Sequence, residues 1–79
     1  MDFNKPTSQM LGRFQPFHNG HVELFKKMHA ETGQVVIMIR SQELDGSNPY
    51  LPATIKEFIK LKLNMFTYDR DYVIMVVPN

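Results

Sequence analysis

The stretch Val35-Val36-Ile37-Met38-Ile39 decides the fold of this chain, because it is a continuous apolar run rich in β-branched residues. Such a run is typical of a strand that is covered on both faces, as in a parallel sheet. The run Tyr72-Val73-Ile74-Met75-Val76-Val77 has the same character, and a shorter, weakly apolar segment lies at 7–12. Together the three segments predict three strands.

Two amphipathic segments separate these strands. In the first, Asn19 is a suitable N-cap, Gly33 a suitable C-terminal stop, and the apolar positions recur at helical spacing: Val22, Phe25 and Met28. In the second, residues 53–65 place apolar side chains on one predicted face: Ile55, Phe58, Ile59 and Leu63. Because crossovers between parallel strands are right-handed, the order βαβαβ predicts spatial order 3-2-1 with both helices on one face. The fold class is therefore α/β, half of a Rossmann-like doubly wound parallel sheet.

Length and composition restrict the class of protein. With 79 residues the chain can form one domain, 1–79, and without cysteine it can have neither disulfides nor a thiolate metal site. The net charge of +1 gives no indication of a nucleic-acid partner, and no apolar run is long enough to cross a membrane. Since no secretory signal begins the chain, we expect a soluble cytoplasmic protein with no nucleic-acid or membrane partner.

The turn from the first strand to the first helix contains Gly12-Arg13-Phe14-Gln15-Pro16-Phe17-His18-Asn19-Gly20-His21. This position binds phosphates in open α/β sheets. His18 and His21 are three residues apart in the first helical turn, so both rings point the same way, beside the free N–H groups of the helix N-terminus. The pattern predicts an anion site for a polyphosphate, in which Gly12 allows unusual dihedrals and Gly20 allows close approach.

Other interpretations of these residues remain open. The two histidines could hold a metal or be surface residues without a role, and Arg13 could simply be solvated. Phe14 and Phe17 fit core packing better than base stacking. His29 lies on the first helix past the apolar stripe and is predicted to be a surface residue. A loop rich in turn formers follows at 41–52, where Arg40, Ser41 and Asn48 serve either loop architecture or substrate contact.

The string from Gly12 to His21 resembles the signature of the HIGH-motif nucleotidyltransferases, whose His-x-Gly-His pattern is met by His18, Gly20 and His21. It looks most like the nicotinamide mononucleotide adenylyltransferases of the archaeal type. Cytidylyltransferases of the superfamily usually have Gly-Thr-Phe-Asp where this chain has Gly-Arg-Phe-Gln. The resemblance extends over essentially the whole chain. Val35 to Ser41 looks like the family's second strand and following turn, Asn48-Pro49-Tyr50 is similar to its Asn-Pro-aromatic loop, and Tyr72 to Asn79 looks like its third strand with the Pro after it.

The resemblance implies that ATP, assisted by Mg²⁺, binds through its triphosphate to His18, His21 and the backbone near Gly12, Arg13 and Phe14. The 5′-phosphate of an acceptor nucleotide, favoured as nicotinamide mononucleotide, would attack the α-phosphorus and release pyrophosphate. A cytidylyltransferase or another adenylyltransferase is the alternative within the superfamily. No protein-held metal is expected.

Two departures from the family bear on activity. The second helix lacks the usual Thr-x-x-Glu-Arg opening, and the family's second half, with its Ile-Ser-Ser-Thr-x-x-Arg motif, is absent from these 79 residues. We therefore interpret the chain as an N-terminal half whose first strand becomes an unguarded sheet edge. It should form a homo-oligomer or be completed by a second segment, and a non-catalytic nucleotide-binding module that needs a partner is the alternative from another functional class.

Overall fold

The computed structural model describes residues 2–40, 46, 50–66, 68 and 70–78. The elements follow the order β1 (Ser8–Gly12), α1 (Asn19–Thr32), β2 (Val35–Arg40), α2 (Pro52–Met65) and β3 (Tyr72–Val77). This arrangement confirms the predicted βαβαβ order.

The three strands form one parallel sheet with β2 in the centre. Gly12 lies opposite Ile39 in the register of β1 and β2, and Arg40 lies opposite Val77 in that of β2 and β3. The spatial order 3-2-1 is therefore confirmed, and the carboxyl ends of β1 and β2 meet at one edge of the sheet.

A single apolar cluster lies between the sheet and both helices. Its most buried members come from β2 and the two helices: Val35, Ile37, Ile39, Val22, Phe25, Ile55, Ile59 and Leu63. Because alternate residues of a strand share a face, the three β2 side chains define the covered face. Both helices pack against that face, as predicted.

The other face of the sheet is open in the part of the chain that the structure describes. Leu11, Met38 and Met75 form one row across the three strands, and Leu11 and Met75 are 59% and 47% exposed. The expectation that β3 is buried on both faces is therefore wrong, since β3 is an edge strand and both helices cover the opposite side.

Two further side-chain predictions need correction. Phe58 is 43% exposed and lies away from the core, because the four-residue spacing of Ile55, Ile59 and Leu63 takes the buried face of α2. His29, which the helix pattern places at the surface, is half-buried and stacks on Phe25 with ring centroids 5.8 Å apart.

Candidate functional site at the first helix N-terminus

The motif loop connects the end of β1 to the start of α1 and packs two phenylalanines into the core. Phe14 and Phe17 are each 5% exposed, and their rings meet edge to face with centroids 5.5 Å apart. Phe14 has φ 53°, a left-handed conformation that is uncommon for a bulky residue. The interpretation of both rings as core packing is confirmed, and the buried rings anchor the loop to the domain.

His18 caps helix α1. The structure contradicts the prediction of Asn19 as the N-cap: Asn19 is the first helical residue, and His18 precedes it in extended conformation. The His18 Nδ1 accepts the N–H of Gly20 at 3.0 Å, while its carbonyl oxygen accepts the N–H groups of His21 and Val22 at 2.9 and 3.2 Å. A histidine ring thus performs the role that Asn or Ser usually has at this position.

His21 completes a reciprocal arrangement with His18. The backbone N–H of His18 donates to Nδ1 of His21 at 3.0 Å, and the two imidazoles stack with centroids 3.8 Å apart. On its other side, His21 stacks on Phe17 at 5.2 Å. The predicted common orientation of the two rings is therefore present, and backbone hydrogen bonds fix it.

The hydrogen bonds define which ring nitrogen carries the hydrogen in the neutral form of each histidine. An Nδ1 that accepts a hydrogen bond carries no proton, so each neutral ring carries its hydrogen on Nε2. Neither Nε2 atom has a hydrogen-bond partner within the described residues. The site therefore presents two imidazole N–H donors that are suited to anionic oxygen atoms.

Burial, and secondly the neighbouring His18 ring, lower the pKa of His21 from its ordinary value of 6.5. His21 is therefore mainly neutral at pH 7 in the free protein, which is the state that its bond to the His18 N–H requires.

The backbone of the helix N-terminus contributes less to the site than expected. The N–H groups of Gly20, His21 and Val22 all have intramolecular acceptors. Of the N–H groups in this turn, that of Asn19 has no acceptor among the described residues. The imidazole Nε2–H groups therefore replace the backbone donors that the sequence pattern suggested.

Gly20 is required by the His18 ring. An added Cβ at Gly20 would lie 2.8 Å from Cε1 and 3.0 Å from Nδ1 of His18, closer than atoms in contact approach. Close approach was the predicted role of this glycine, and the approaching group is the capping imidazole. The prediction of unusual dihedrals at Gly12 is wrong, because Gly12 ends strand β1 and its φ lies outside the left-handed region. An added Cβ there would lie 3.3 Å from the Phe14 ring, so Gly12 leaves room for an aromatic side chain.

The remaining predicted site residues lie along the carboxyl edge of the sheet or outside the described residues. Arg13 follows β1 and Arg40 ends β2; both are exposed, and the register places these chain segments side by side. Ser41 and Asn48 lie outside the described residues. Arg13 and Arg40 therefore lie at the carboxyl edge of the sheet, where the motif loop begins.

Gln15 is a structural contributor that the sequence pattern did not indicate. Its side-chain Nε2 donates to the carbonyl oxygen of Tyr50 at 3.1 Å, and its Oε1 accepts the Tyr50 N–H at 3.0 Å. These two bonds connect the motif loop to the residue that precedes α2 by two positions. The contact spans 35 residues, so no local spacing could have revealed it.

Comparison of the sequence with known protein families identifies the family of this chain. Residues 10–63, which include the whole motif loop and both histidines, match the model of the cytidylyltransferase-like family. The chain belongs to this family. The match extends beyond the motif through β2 and most of α2, so it includes segments that form the fold as well as the motif.

Several curated proteins to which this chain is similar are named nicotinamide-nucleotide adenylyltransferase. The protein from Thermoplasma volcanium is 33% identical over 67 residues, which covers 81% of this chain and 34% of the relative. The protein from Picrophilus torridus is 50% identical over 34 residues, which covers 43% of this chain and 20% of the relative. The protein from Methanococcus maripaludis is 47% identical over 32 residues, which covers 40% of this chain and 19% of the relative. The chain thus spans between a fifth and about a third of the length of these relatives.

No helix in the described part of the chain combines the length and apolarity needed to cross a membrane. Nor do the described residues contain a group of three or more His, Cys, Asp or Glu side chains that could hold a metal ion.

Proposed function

We propose that this chain supplies the triphosphate-binding half of a nucleotidyltransferase that moves AMP from ATP to a nucleotide 5′-phosphate and releases pyrophosphate. The observation that carries the proposal is the pair of stacked imidazoles whose Nδ1 atoms both accept backbone N–H groups. This arrangement orients the Nε2–H groups of His18 and His21 before any ligand binds. Donors that are positioned in advance stabilise charge that develops on a leaving group.

The proposed reaction needs positioning and charge neutralisation more than a nucleophilic side chain. The acceptor phosphate would attack the α-phosphorus in line, the bond to the bridging oxygen would break, and the pyrophosphate would take up the negative charge. His18 and His21 would donate to that pyrophosphate, with Arg13 and Gly12 at the edge of the sheet. Mg²⁺, which prefers oxygen ligands, would enter bound to the oxygen atoms of the triphosphate.

The proposed acceptor is nicotinamide mononucleotide. The names of the relatives support this choice, and so does the sequence Gly12-Arg13-Phe14-Gln15. Transfer from CTP, as the family description would suggest, is the second candidate. Product from CTP with none from ATP would contradict the adenylyl assignment.

We further propose that turnover requires a second polypeptide segment or a second copy of this chain. The row Leu11, Met38 and Met75 lies on an apolar sheet face, whereas parallel sheets are normally covered on both faces. β1 pairs on one side with β2 and has no described strand on its other side, which leaves an edge open to pairing. A nucleotide-binding module that becomes active only with such a partner remains the second functional class.

The test of ATP binding uses substitutions that retain the cap and remove the imidazole donors. Asn accepts an N–H at an N-cap as well as any residue, so His18→Asn should leave the fold intact. At His21, the third helical position, the side-chain oxygen of Asn can still accept the His18 N–H, so His21→Asn should also fold. Each lost hydrogen bond to a charged phosphate corresponds to about 1.5 kcal/mol or more, so each variant should bind ATP about tenfold more weakly in titration calorimetry. His29→Asn is the matched control, because His29 lies on the same helix but away from the motif. The His29→Asn variant should bind ATP with the affinity of the unsubstituted chain. Unchanged affinity in the double variant would contradict the site assignment.

The test of turnover measures pyrophosphate release from ATP or CTP with nicotinamide mononucleotide and other nucleotide acceptors. The 79-residue chain should bind ATP yet turn over slowly alone, and faster with a polypeptide that covers the open sheet face. Normal turnover by a stable monomer in light scattering would contradict the requirement for completion.

A further inference from the structure

A second concave feature lies beside the motif loop, on the outer side of α2. It is a cleft of about 350 Å³, a size within the usual range for small-molecule sites. Three aromatic rings line it, from Phe17, Tyr50 and Phe58. Leu61 and Met65 on α2 provide aliphatic walls, so the cleft is suited to a flat apolar ring.

The walls of this cleft are held by contacts outside it. Gln15 fixes the backbone of Tyr50 through its two hydrogen bonds, and the rings of Tyr50 and Phe58 meet edge to face at 5.7 Å. Phe17 is buried and stacks on His21. The cleft is therefore formed before any ligand binds.

Lys62 gives the cleft a charge preference. Its side chain lines the cleft, and no carboxylate among the described residues forms an ion pair with it. By contrast, Lys26 pairs with Glu23 and Lys60 with Glu57. An aromatic ligand with one negative group would satisfy both the rings and this ammonium group.

We propose that the cleft binds a small planar aromatic anion of the aromatic carboxylate class, at a site separate from the triphosphate site. Phe17 lies between the two sites, with one surface against His21 and another against the cleft. A bound ring would thus contact the side chain that supports the His21 imidazole.

The experiment titrates the full chain with 1-naphthoate and with its neutral counterpart 1-naphthamide, followed by the amide signals in two-dimensional NMR spectra. We expect the largest shifts at Phe17, Tyr50 and Phe58, with naphthoate binding about two- to fivefold more tightly than naphthamide, as one exposed ion pair allows. Lys62→Gln should abolish that preference, and Leu61→Ser should weaken both ligands. Lys27→Gln, with the same charge change on an exposed residue outside the cleft, should behave as the unsubstituted chain.

Several results would overturn the proposal. These are the absence of saturable binding, a preference for naphthoate that persists in Lys62→Gln, and shifts confined to Leu11 and Met75 on the open sheet face. Shifts at the cleft that follow protein dilution without ligand would show that a second copy occupies it instead. Because His18 has no ring contact with a described residue that lines the cleft, naphthoate binding should persist in His18→Asn while ATP binding weakens, which separates this proposal from the proposed ATP site.

Discussion

Gly20→Ala should separate ligand binding from folding at this site. The added methyl would lie 2.8 Å from Cε1 of the His18 ring, whereas carbon atoms in contact are about 3.5–4.0 Å apart. The ring is an exposed side chain that can rotate away, so the backbone need not move. Rotation breaks the hydrogen bond from the Gly20 N–H to His18 Nδ1 and misplaces one Nε2–H donor.

The two effects of this substitution on stability oppose each other. Loss of an N-cap hydrogen bond costs about 1 kcal/mol, and alanine is more favourable than glycine within a helix by about 0.8–1.0 kcal/mol. The free energy of unfolding in urea should therefore change by less than about 0.5 kcal/mol. ATP binding has no such compensation and should weaken about tenfold in titration calorimetry, because one hydrogen bond to a charged phosphate is lost.

Gly33→Ala provides a control that should lower the stability of the chain without weakening ATP binding. Gly33 has φ 77° at the C-terminus of α1, where a Cβ meets open space but the backbone conformation is unfavourable for alanine. This variant should lose about 1 kcal/mol of stability and retain ATP affinity. If Gly20→Ala bound ATP like the unsubstituted chain, with the His18 ring signals unchanged in NMR spectra, the argument from the close contact would be refuted.

Three other predictions follow from contacts around the site. Folding lowers the pKa of His21, so the unfolded chain binds a proton at this imidazole more readily than the folded chain does. The free energy of unfolding should therefore be unaffected by titration of His21 above pH 6.5 and should decrease as the pH falls below that value. Urea titrations of the unsubstituted chain and His21→Asn should show this as a smaller loss of stability on acidification in the variant, and equal losses would contradict it. Gln15→Leu removes both bonds to Tyr50 and should lower the free energy of unfolding by about 1 kcal/mol while hydrogen exchange of the Tyr50 amide accelerates; unchanged exchange would exclude the proposed connection. Leu11→Lys with Met75→Lys charges the open sheet face and should reduce self-association in light scattering, whereas undiminished association would locate the contact elsewhere.

The sequence predicts the elements of this fold because its apolar patterns have distinct periods. The β-branched run at Val35–Arg40 and the helical spacing of Val22 and Phe25 each fit one type of element. Handedness then leaves one arrangement of three parallel strands, which the structure confirms.

Periodicity alone cannot predict which of two apolar stripes on the same helix is buried. On α2, Ile55 and Ile59 belong to the buried stripe, while Phe58, Leu61 and Met65 form a second stripe that remains exposed. Phe58 is compatible with either stripe from spacing alone. The tertiary contact that decides between them, with β2 beneath the helix, lies outside any local window.

The capping residue could not be predicted from propensity. Asn19 is a better N-cap by type than His18, yet His18 takes the position because its ring bonds to Gly20 and its N–H bonds to the ring of His21. These contacts depend on two specific rings and on the missing side chain at Gly20. A preference averaged over many helices contains none of that information.

Under the proposed function, a double role of the imidazoles would account for histidine at both positions of the motif. Asparagine or serine could cap this helix, but the donors that they retain lie on a short side chain and not on the far side of a rigid ring. Histidine uses Nδ1 to fix the backbone and retains Nε2–H for a ligand. Protonation of His21 at Nδ1 would expel the His18 N–H, so burial that favours the neutral form of His21 also preserves the donor geometry. The proposed site would thus attract an anion with neutral, oriented donors.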